Sequence, residues 1–460
     1  MRSLRTADTF FAAALLALPL TGMGIVKLVS GHDLGTGIQP SYLFLLLAWA
    51  FRLLDLVRPA NSLDRHRLLN DPVTRRWFIW LVLALGAVLV SGLGLVLAPT
   101  TLMPNEVWPR FFKQILQLGV MTAFLVYPAM WTRGPARWRF LVRMLAWATL
   151  GQVVYSAIQG VHGLWTLPGM AFLEEAVTSN PGILAGSEKL YLGSYTTLPR
   201  LRGTMSEPLY LGSFLVGMIP LLIHDGRRRL AAGAAIVLLL TWSRGAWLAA
   251  MGAGFCWWWM RRRAGLPVPT RRLLLAGALT LGLGLVVVMI VAGPSGVLWP
   301  WRRLLQTLDS SDWSNLTRYY SGQAAIRAFL LSPLVGVGWG QFPYHFYSLV
   351  DLRGLESQFT WPVVNNIPLL VLCETGLVGL GVLLGLVVTL GRQTWHSLKN
   401  QASAWCRGRL AAVTASCCGL AIQLLFFSQY NLPHLWVIPG LWIVALGAPK
   451  SGAQDEEVSS

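Results

Sequence analysis

Residues 314–340 read SNLTRYYSGQAAIRAFLLSPLVGVGWG and lie within a long polar and aromatic stretch that runs from Ser295 to Glu374. Long apolar runs flank this stretch, and Asn365–Asn366 opens the second of them. No other part of the sequence combines such length and polarity with a position between two runs of membrane-spanning length. We therefore predict a folded domain outside the membrane that closes over a membrane-embedded site.

The composition is that of a membrane protein. The 460 residues are 55% hydrophobic and 12% charged and include 22 tryptophans, which is far more apolar than a soluble domain of this size. Apolar runs of about 20 residues recur along the chain, and a helix of that length spans a bilayer. The sequence therefore predicts an all-α polytopic membrane protein.

The net charge of +18 would indicate a nucleic-acid partner in a soluble chain. Here lysine and arginine concentrate in alternate loops, so their distribution predicts the orientation of the chain in the membrane, with both termini cytoplasmic. No nucleic-acid partner is predicted. The start, Met1–Arg5 followed by an apolar run, resembles a signal peptide. Because no small-residue cleavage site is obvious and many spans follow, we interpret it as an uncleaved first helix.

The apolar runs predict about twelve transmembrane helices and two long outer segments, 161–206 and 293–362. The predicted spans are 8–29, 39–57, 77–98, 111–131, 139–160, 208–223, 230–241, 245–260, 273–292, 363–390, 410–429 and 435–447. We divide the chain into four parts. These are N-terminal spans with the first outer loop (1–207), spans with a short hairpin (208–292), a large outer loop domain (293–362), and C-terminal spans with a cytoplasmic tail (363–460).

The interval 230–260 contains a hairpin whose turn reads Thr241-Trp-Ser-Arg-Gly245. Arginine clusters on both sides should be cytoplasmic, so two spans must lie between them. Two full crossings need about 40 residues, more than this interval holds, so the turn should be a recessed apex with Arg244 inside the outer half of the membrane. A cation at that depth is a functional candidate. The alternatives are a snorkelling arginine at an ordinary turn, and one long helix that reverses the later topology.

Arg202 and Glu207 end the first outer segment, directly before the span that Pro208 opens. Both side chains should therefore lie just above the membrane. Glu207 is either a functional carboxylate or one at a helix start that interacts with the helix dipole.

The second outer segment should contain a helix that begins after Ser314 or Asn315 as its cap, runs to Leu331 and is ended by Pro333. Arg318 lies in its first turn, near helix N–H groups that attract anions.

Polar residues inside the predicted spans are few. Gln152, Tyr155 and Gln159 share one helix face, which either lines a cavity or hydrogen-bonds between helices. His345 lies in an aromatic loop and is interpreted as a surface or packing histidine rather than a base. The five cysteines show no disulfide or zinc spacing and are interpreted as packed thiols.

No nucleotide-binding glycine loop, metal-ligand cluster or DxD-like carboxylate pair is present in the sequence, so no cofactor and no metal are predicted. Arg202, Arg244 and Arg318 at the outer leaflet instead suit a diphosphate whose lipid tail stays in the bilayer. Guanidinium groups remain charged and bind phosphate in a bidentate manner. They can also stabilise a leaving diphosphate as negative charge builds on it.

Four groups of residues together resemble the O-antigen ligase and polymerase superfamily, over roughly residues 200–390. The groups are RGTMSEPLYLG (202–212), TWSRGAWLA (241–249), Arg318 with SPLVGVGWGQF (332–342), and NNIPLLVLCETGLVG (365–379). The first group resembles the family's Arg–Gly–Glu/Asn–Pro segment, and the second resembles its Ser-Arg-Gly turn. Each alone is weak, but their order, spacing and topology make the set specific.

The resemblance implies a membrane glycosyltransferase fold of the C type (GT-C) with a large helical periplasmic loop domain. It also implies transfer of a glycan from undecaprenyl diphosphate, with inversion and without a metal, and Arg244 and Arg318 match the diphosphate-binding arginines of the ligase branch. That branch has His-Asn where this chain has Asn365–Asn366. Asparagine can orient an acceptor hydroxyl but cannot take its proton at neutral pH. The departure favours a polymerase, with Glu207 as base or acceptor-orienting group.

We therefore predict a metal-independent, inverting glycosyltransferase that polymerises the repeat units of an O-antigen or exopolysaccharide. Its location would be the bacterial inner membrane, with the active site facing the periplasm. Donor and acceptor would both be undecaprenyl-diphosphate-linked glycans, and a chain-length regulator is a candidate partner. The predicted catalytic residues are Glu207, Arg244 and Arg318, and the predicted substrate-binding residues are Arg202, Arg244, Arg318, Asn365 and Asn366.

Two alternatives remain open at this point. One is an O-antigen ligase that transfers the glycan to lipid A-core or to a protein. The other is a membrane transporter of the bicarbonate type, although the halves show no repeat and most polar sequence lies in outer loops instead of mid-membrane.

Overall fold

The structure is a computed structural model in which every regular element is a helix among the residues that it describes. It describes residues 6–31, 37–57, 72–100, 102–131, 135–163, 165–180, 200–268, 312–352, 362–401 and 403–447, with scattered positions between 275 and 309. The prediction of an all-α protein is thus confirmed for this part of the chain.

The N-terminal half contains eight α-helices in the described residues, several of which begin with proline at the first helical position. They are α1 (Thr6–Leu16), α2 (Ile25–Ser30), α3 (Pro40–Val57), α4 (Pro72–Val90), α5 (Gly94–Leu97), α6 (Val107–Trp131), α7 (Pro135–His162) and α8 (Met170–Val177). A 3₁₀ turn over Ser91–Leu93 joins α4 to α5.

The C-terminal half also contains eight α-helices in the described residues. They are α9 (Pro208–His224), α10 (Arg228–Leu240), α11 (Arg244–Arg263), α12 (Trp313–Leu331), α13 (Phe342–Leu349), α14 (Ile367–Asn400), α15 (Ala404–Gln423) and α16 (His434–Leu446). Helices α12 and α13 belong to the second long polar segment, as predicted for 293–362.

Three of the described helical segments are long and apolar enough to cross a membrane: Arg75–Leu97, Pro135–His162 and Ile367–Asn400. Four further apolar helices are shorter. Each predicted span overlaps a described helix except 273–292, which lies largely outside the described residues. A helical membrane protein is therefore supported, whereas the number of spans stays a prediction.

The first predicted span, 8–29, is wrong as a continuous helix. Helix α1 ends at Leu16, and α2 begins only at Ile25. The segment between them hydrogen-bonds to the loop before α9, where the Pro19 carbonyl accepts from the Thr204 hydroxyl at 3.1 Å. The break between α1 and α2 thus allows a hydrogen bond to a residue far away in sequence, which the apolar pattern of residues 8–29 does not predict.

Helices α9, α11 and α15 pack against one another and form the centre of the bundle. Small residues allow the close approach, because a Cβ on Gly212 of α9 would lie 2.7 Å from Ala246 of α11. A Cβ on Gly419 of α15 would likewise lie 2.6 Å from Val216 of α9. The starts of α9 and α11 and the end of α15 lie together, and we call this the Arg244 end of the bundle.

The hairpin predicted over 230–260 runs in the structure from Arg228 to Arg263, because both helices continue into the flanking arginine clusters. Its two helices differ in length. Helix α10 has 13 residues, a rise of about 20 Å, and α11 has 20 residues, a rise of about 30 Å. Only α11 matches the thickness of a bilayer core, so the turn joins a short helix to a full-length one.

Candidate active site

The turn of the hairpin places Arg244 at the first position of α11. Trp242 has a φ of 54°, a left-handed conformation that a bulky residue adopts only under local constraint. Ser243 is the N-cap residue of α11, and its hydroxyl accepts from the Ala246 N–H at 3.4 Å. The guanidinium of Arg244 therefore stands at a helix N-terminus, where the helix dipole favours an anion.

Asp312 is the anion that Arg244 contacts in the structure. The Arg244 Nη2 lies 3.2 Å from the Asp312 Oδ1, and the two side chains are only 13% and 16% exposed. Asp312 is also the N-cap residue of α12. The predicted caps, Ser314 and Asn315, are therefore wrong, because Asp312 precedes them and the helix already begins at Trp313.

Arg318 lies on α12 six residues after Asp312, a rise of about 9 Å along the helix. Its Nη1 donates to the Ser314 carbonyl at 2.9 Å and to the Ser314 hydroxyl at 2.5 Å. These bonds hold the half-buried guanidinium back toward the start of α12. The structure thus brings Arg244 and Arg318 to the same helix end, with Asp312 between them in sequence and in contact with Arg244.

Asn366 also lies at the Arg244 end. It is the N-cap residue of α14, where its Oδ1 accepts from the Leu369 N–H at 2.9 Å and its Nδ2 donates to the Leu425 carbonyl at 3.2 Å. The next residue of that loop, Phe426, would lie 3.0 Å from a Cβ on Gly245. Asn366 and Gly245, the residue after Arg244, therefore lie against the same short loop, while Asn365 is half-buried next to Asn366.

Glu207 is the N-cap residue of α9, but its side chain makes no capping hydrogen bond. Its carbonyl instead accepts from the N–H groups of Tyr210 and Leu211. The following turn of α9 places Tyr210 against Phe427, with ring centroids 6.0 Å apart. Glu207 is therefore at the Arg244 end, and its carboxylate is not used in the capping hydrogen bond.

Arg202 is buried and paired with Glu174 of α8. Its backbone N–H donates to the Gln159 Oε1 at 3.0 Å. The loop that carries it touches the hairpin, since the Leu201 N–H donates to the Leu240 carbonyl at 3.2 Å. Arg202 is thus near the hairpin, but its charge is already balanced inside the protein.

The polar face of α7 hydrogen-bonds between elements, which is the second of the two alternatives that the sequence left open. Gln152 donates to the Thr204 hydroxyl at 2.7 Å. Tyr155 and Gln159 donate to the Glu174 carboxylate at 2.8 and 3.0 Å. The face therefore fastens α8 and the Arg202 loop to the bundle.

His345, in α13, is buried in the second polar segment. Burial lowers the pKa of His345 below its usual range, so the ring is neutral at neutral pH. Its side chain is therefore packed in the interior and not at the surface, and the loop predicted around it is the short helix α13. The five cysteines are free thiols in the structure, as their spacing predicted.

Glu374 is a buried carboxylate that the sequence analysis did not select. Its Oε2 accepts from the Gly340 N–H at 2.8 Å, and its Oε1 accepts from the Phe342 N–H at 3.0 Å. The second contact places the carboxylate at the start of α13, where a negative charge is favourable. The sequence showed only that an acidic residue lies within an apolar run. The residues around it in sequence did not indicate that its partners would be the backbone N–H groups of Gly340 and Phe342.

The glycine-rich turn before α13 is inserted into a break in α14. At Gly376 the backbone has φ 64° and ψ −161°, and the helix opens. The Val337 and Gly338 N–H groups donate to the carbonyls of Cys373 and Glu374 at 3.0 and 3.1 Å. The Leu377 N–H donates in return to the Pro333 carbonyl at 2.9 Å. Residues 332–342 therefore anchor the polar segment to α14.

We expect Gly376→Ala to destabilise the protein by about 2–3 kcal/mol or more. The backbone region at Gly376 is essentially restricted to glycine, and a Cβ would lie 2.3 Å from the Leu334 carbonyl oxygen. Gly381→Ala is the matched control, because it lies in the same helix with open space around it. Thermal unfolding of the purified proteins in detergent measures the difference. Equal midpoints for the two variants would show that the break does not need glycine.

The fold and the site together define a class: an all-helical membrane protein with two arginines gathered at one end of its bundle. Within this class, residues 230–384 match the family model described as O-Antigen ligase. The match covers α10 to the middle of α14 and includes Arg244, Arg318 and Asn365–Asn366, but not Arg202 or Glu207. It confirms the predicted relationship to the O-antigen ligase and polymerase superfamily. A search of curated proteins finds no match.

Proposed function

We propose that the protein is a polymerase that joins the repeat units of a surface polysaccharide, with both substrates carried on undecaprenyl diphosphate. The O-antigen ligase domain assigns it to glycan transfer of the ligase or polymerase type. The finer steps below are our proposal, including inversion, the absence of a metal from the reaction, and an active site that faces the periplasm of a bacterial inner membrane.

The observation that carries the proposal is the position of Arg244 at the start of the helix that bears Arg318. Two guanidinium groups and two helix N-termini, those of α11 and α12, gather there. Each of these features favours an anion, and together they suit the two phosphates of a diphosphate. In the structure the Asp312 carboxylate is paired with the Arg244 guanidinium, so a diphosphate that binds Arg244 would displace this carboxylate.

In the proposed reaction, a hydroxyl oxygen of the acceptor sugar attacks the anomeric carbon of the donor. The bond from that carbon to the diphosphate oxygen breaks, and undecaprenyl diphosphate leaves with the electron pair. Arg244 and Arg318 stabilise the negative charge that builds on the leaving group. The hydroxyl attacks from the face opposite the leaving diphosphate, which inverts the anomeric configuration, and its proton passes to a base on that face.

Glu207 is the base that we propose, because it stands at the start of α9, at the Arg244 end of the bundle, and a carboxylate there can accept the hydroxyl proton. Asn365 and Asn366 are proposed to orient the acceptor. Asn366 already uses its side chain to cap α14 and to bind the Leu425 carbonyl, so it fixes the loop geometry as well. Arg202, which Glu174 neutralises, is proposed to support the site from the neighbouring loop.

A ligase is the second candidate, since the family match covers both branches. The absence of a histidine at Asn365–Asn366 favours the polymerase. Deleting the gene and separating the surface glycan by gel electrophoresis decides between them. A glycan limited to a single repeat unit is the expected result. Long carrier-linked chains that accumulate unattached would instead identify a ligase.

Replacing Asp312 by asparagine is expected to lower the KM for the lipid-linked donor about three- to tenfold. The substitution removes the anion that competes for Arg244, and α12 loses no capping hydrogen bond, because the Asp312 side chain makes none. Asp309→Asn is the control, because Asp309 is exposed and precedes the helix by one turn. Initial-rate kinetics with purified protein measure the change. A higher KM in Asp312→Asn would mean that Asp312 positions Arg244 for binding instead of competing with the substrate.

A further inference from the structure

A second group of basic side chains gathers at the opposite end of the bundle from Arg244. Helix α11 carries Arg261 in its last turn, about 26 Å along the helix from Arg244. His224 ends α9, and Arg409 lies in the second turn of α15. Since α9, α11 and α15 pack together along their length, these three residues meet at what we call the Arg409 end.

His224 and Arg261 approach Gly408, and the ring of Trp405 lies near both the His224 ring, with centroids 5.8 Å apart, and the guanidinium of Arg409. A Cβ at Gly408 would lie 3.2 Å from the His224 Cε1 and 3.8 Å from the Arg261 Nη1. Arg409, the next residue, is only 4% exposed. Two guanidinium groups and an imidazole from three different helices are thus gathered around Gly408 and Trp405.

Tryptophans hold the guanidinium groups of this cluster. The Arg409 Cζ lies 5.0 Å from the ring centroids of both Trp138 and Trp405, and the Arg261 Cζ lies 4.9 Å from that of Trp257. Such contacts stabilise a desolvated cation, but they do not satisfy its N–H groups.

Hydrogen-bonding capacity remains unused at the cluster. The Arg409 Nε, the Arg261 Nε and the His224 Nε2 are buried and have no hydrogen-bond partner among the described residues. Within the same residues no ion pair involves Arg261 or Arg409, and the nearby Asp225 is paired with Arg227 at 2.7 Å. Arg261 is half-buried and its Nη2 donates to the Pro267 carbonyl at 2.8 Å. Arg409 is a buried cation without a counter-ion among the described residues, and such a cation is costly, which indicates that an anion belongs here.

The helix dipole does not explain Arg409. Cations are favoured at the C-terminal ends of helices, which accounts for Arg261 in α11. Arg409 instead lies near the N-terminal end of α15, where the dipole favours an anion. Its burial at that position is best explained by a negatively charged ligand.

We propose that His224, Arg261 and Arg409 bind a phosphate group at the Arg409 end of the bundle. Two sources have the required chemistry, the phosphodiester of an anionic phospholipid headgroup and free phosphate. Arginine binds either one with charge-assisted hydrogen bonds, and basic pockets between membrane helices are suited to lipid headgroups. Tryptophan–arginine pairs flank the cluster, such as Arg262 over Trp258 at 4.6 Å, as in the interfacial belt of a membrane protein. The proposal does not depend on the glycan-transfer function.

The test measures thermal unfolding of the full chain in detergent, titrated with phosphatidylglycerol, with phosphatidylcholine or with inorganic phosphate. Stabilisation by phosphatidylglycerol alone supports the site and assigns it to a lipid headgroup. Stabilisation by inorganic phosphate to the same extent supports the site and assigns it to a free anion. No stabilisation by either probe overturns the proposal.

The variants Arg261→Gln and Arg409→Gln are each expected to raise the half-saturating concentration of the effective probe about tenfold or more. Arg262→Gln is the matched control, because Arg262 is the exposed neighbour of Arg261 in the same helix turn. An equal loss in Arg262→Gln would indicate general attraction to a basic surface and would overturn the site. If Arg409→Gln fails to fold, Arg261→Gln and His224→Asn still decide the outcome.

The acidic residues Asp455–Glu457 are a second source of negative charge in this chain. A chain that ends at Lys450 tests them. If Arg261→Gln raises the half-saturating probe concentration in this shortened chain as much as it does in the full chain, the phosphate site is supported. Probe binding that appears only after the shortening would mean that the tail is the natural anion, and would overturn the proposal.

Discussion

Arg244→Ala is expected to abolish polymer formation, with a loss of at least about a thousandfold in the rate of glycan transfer. Arginines that neutralise a leaving phosphate group contribute that much in other phosphate chemistry, and removal of one oxyanion-stabilising donor costs 10²–10³ in rate. Arg244 combines such a group with the N-terminus of α11. The measurement is polymer length on a gel together with the transfer rate of the purified protein.

A structural role of Arg244 must be separated from a chemical one. Its removal leaves Asp312 half-buried without its partner, which by itself destabilises the protein. The double variant Arg244→Ala with Asp312→Ala removes both charges and should recover the unfolding midpoint but not the activity. Arg229→Ala is the control in the same hairpin, because Arg229 is exposed at the start of α10. Wild-type polymer in Arg244→Ala would exclude this residue from the site.

The sequence was a good guide where the signal was local. The turn at Trp242–Gly245 is flanked by apolar runs and arginine clusters, so a hairpin with Arg244 at its apex followed from length and charge alone. The helix that ends at Leu331 was likewise predictable, because Pro333 cannot continue it. Three of the four groups of residues that resembled the O-antigen ligase and polymerase superfamily lie within the matched region, 230–384, and the group at 202–212 precedes it.

The remainder depended on contacts between residues far apart in sequence. Asp312 could have been chosen as the cap of α12, but its pairing with Arg244 joins positions 68 residues apart. Glu174 and Arg202, which pair with each other, are likewise 28 residues apart. Because of this pairing, the charge of Arg202, which the sequence assigned to a phosphate, is balanced inside the protein. Glu374 binds the amides of a turn more than 30 residues earlier. Periodicity and propensity carry no information on such pairs.

Arg318→Lys is expected to reduce the transfer rate about a hundredfold although the positive charge is kept. In the structure the Arg318 Nη1 is held by the Ser314 carbonyl and hydroxyl, which fixes the plane of the guanidinium on α12. A lysine ammonium could keep one of these bonds, but it cannot present a planar, two-donor edge to a phosphate. The loss should therefore appear mainly in kcat, since the stronger contact forms as charge develops on the leaving diphosphate.

Arg327→Lys provides the comparison for this substitution, because Arg327 lies on the same helix, is exposed and donates to the Leu349 carbonyl. It should retain its activity, so that a loss confined to Arg318→Lys reflects geometry at one position and not the tolerance of α12 for lysine. Full activity in Arg318→Lys would reduce Arg318 to a point charge. In that case the two-arginine description of the site would fail, and Arg244 with the helix N-termini would have to hold the diphosphate alone.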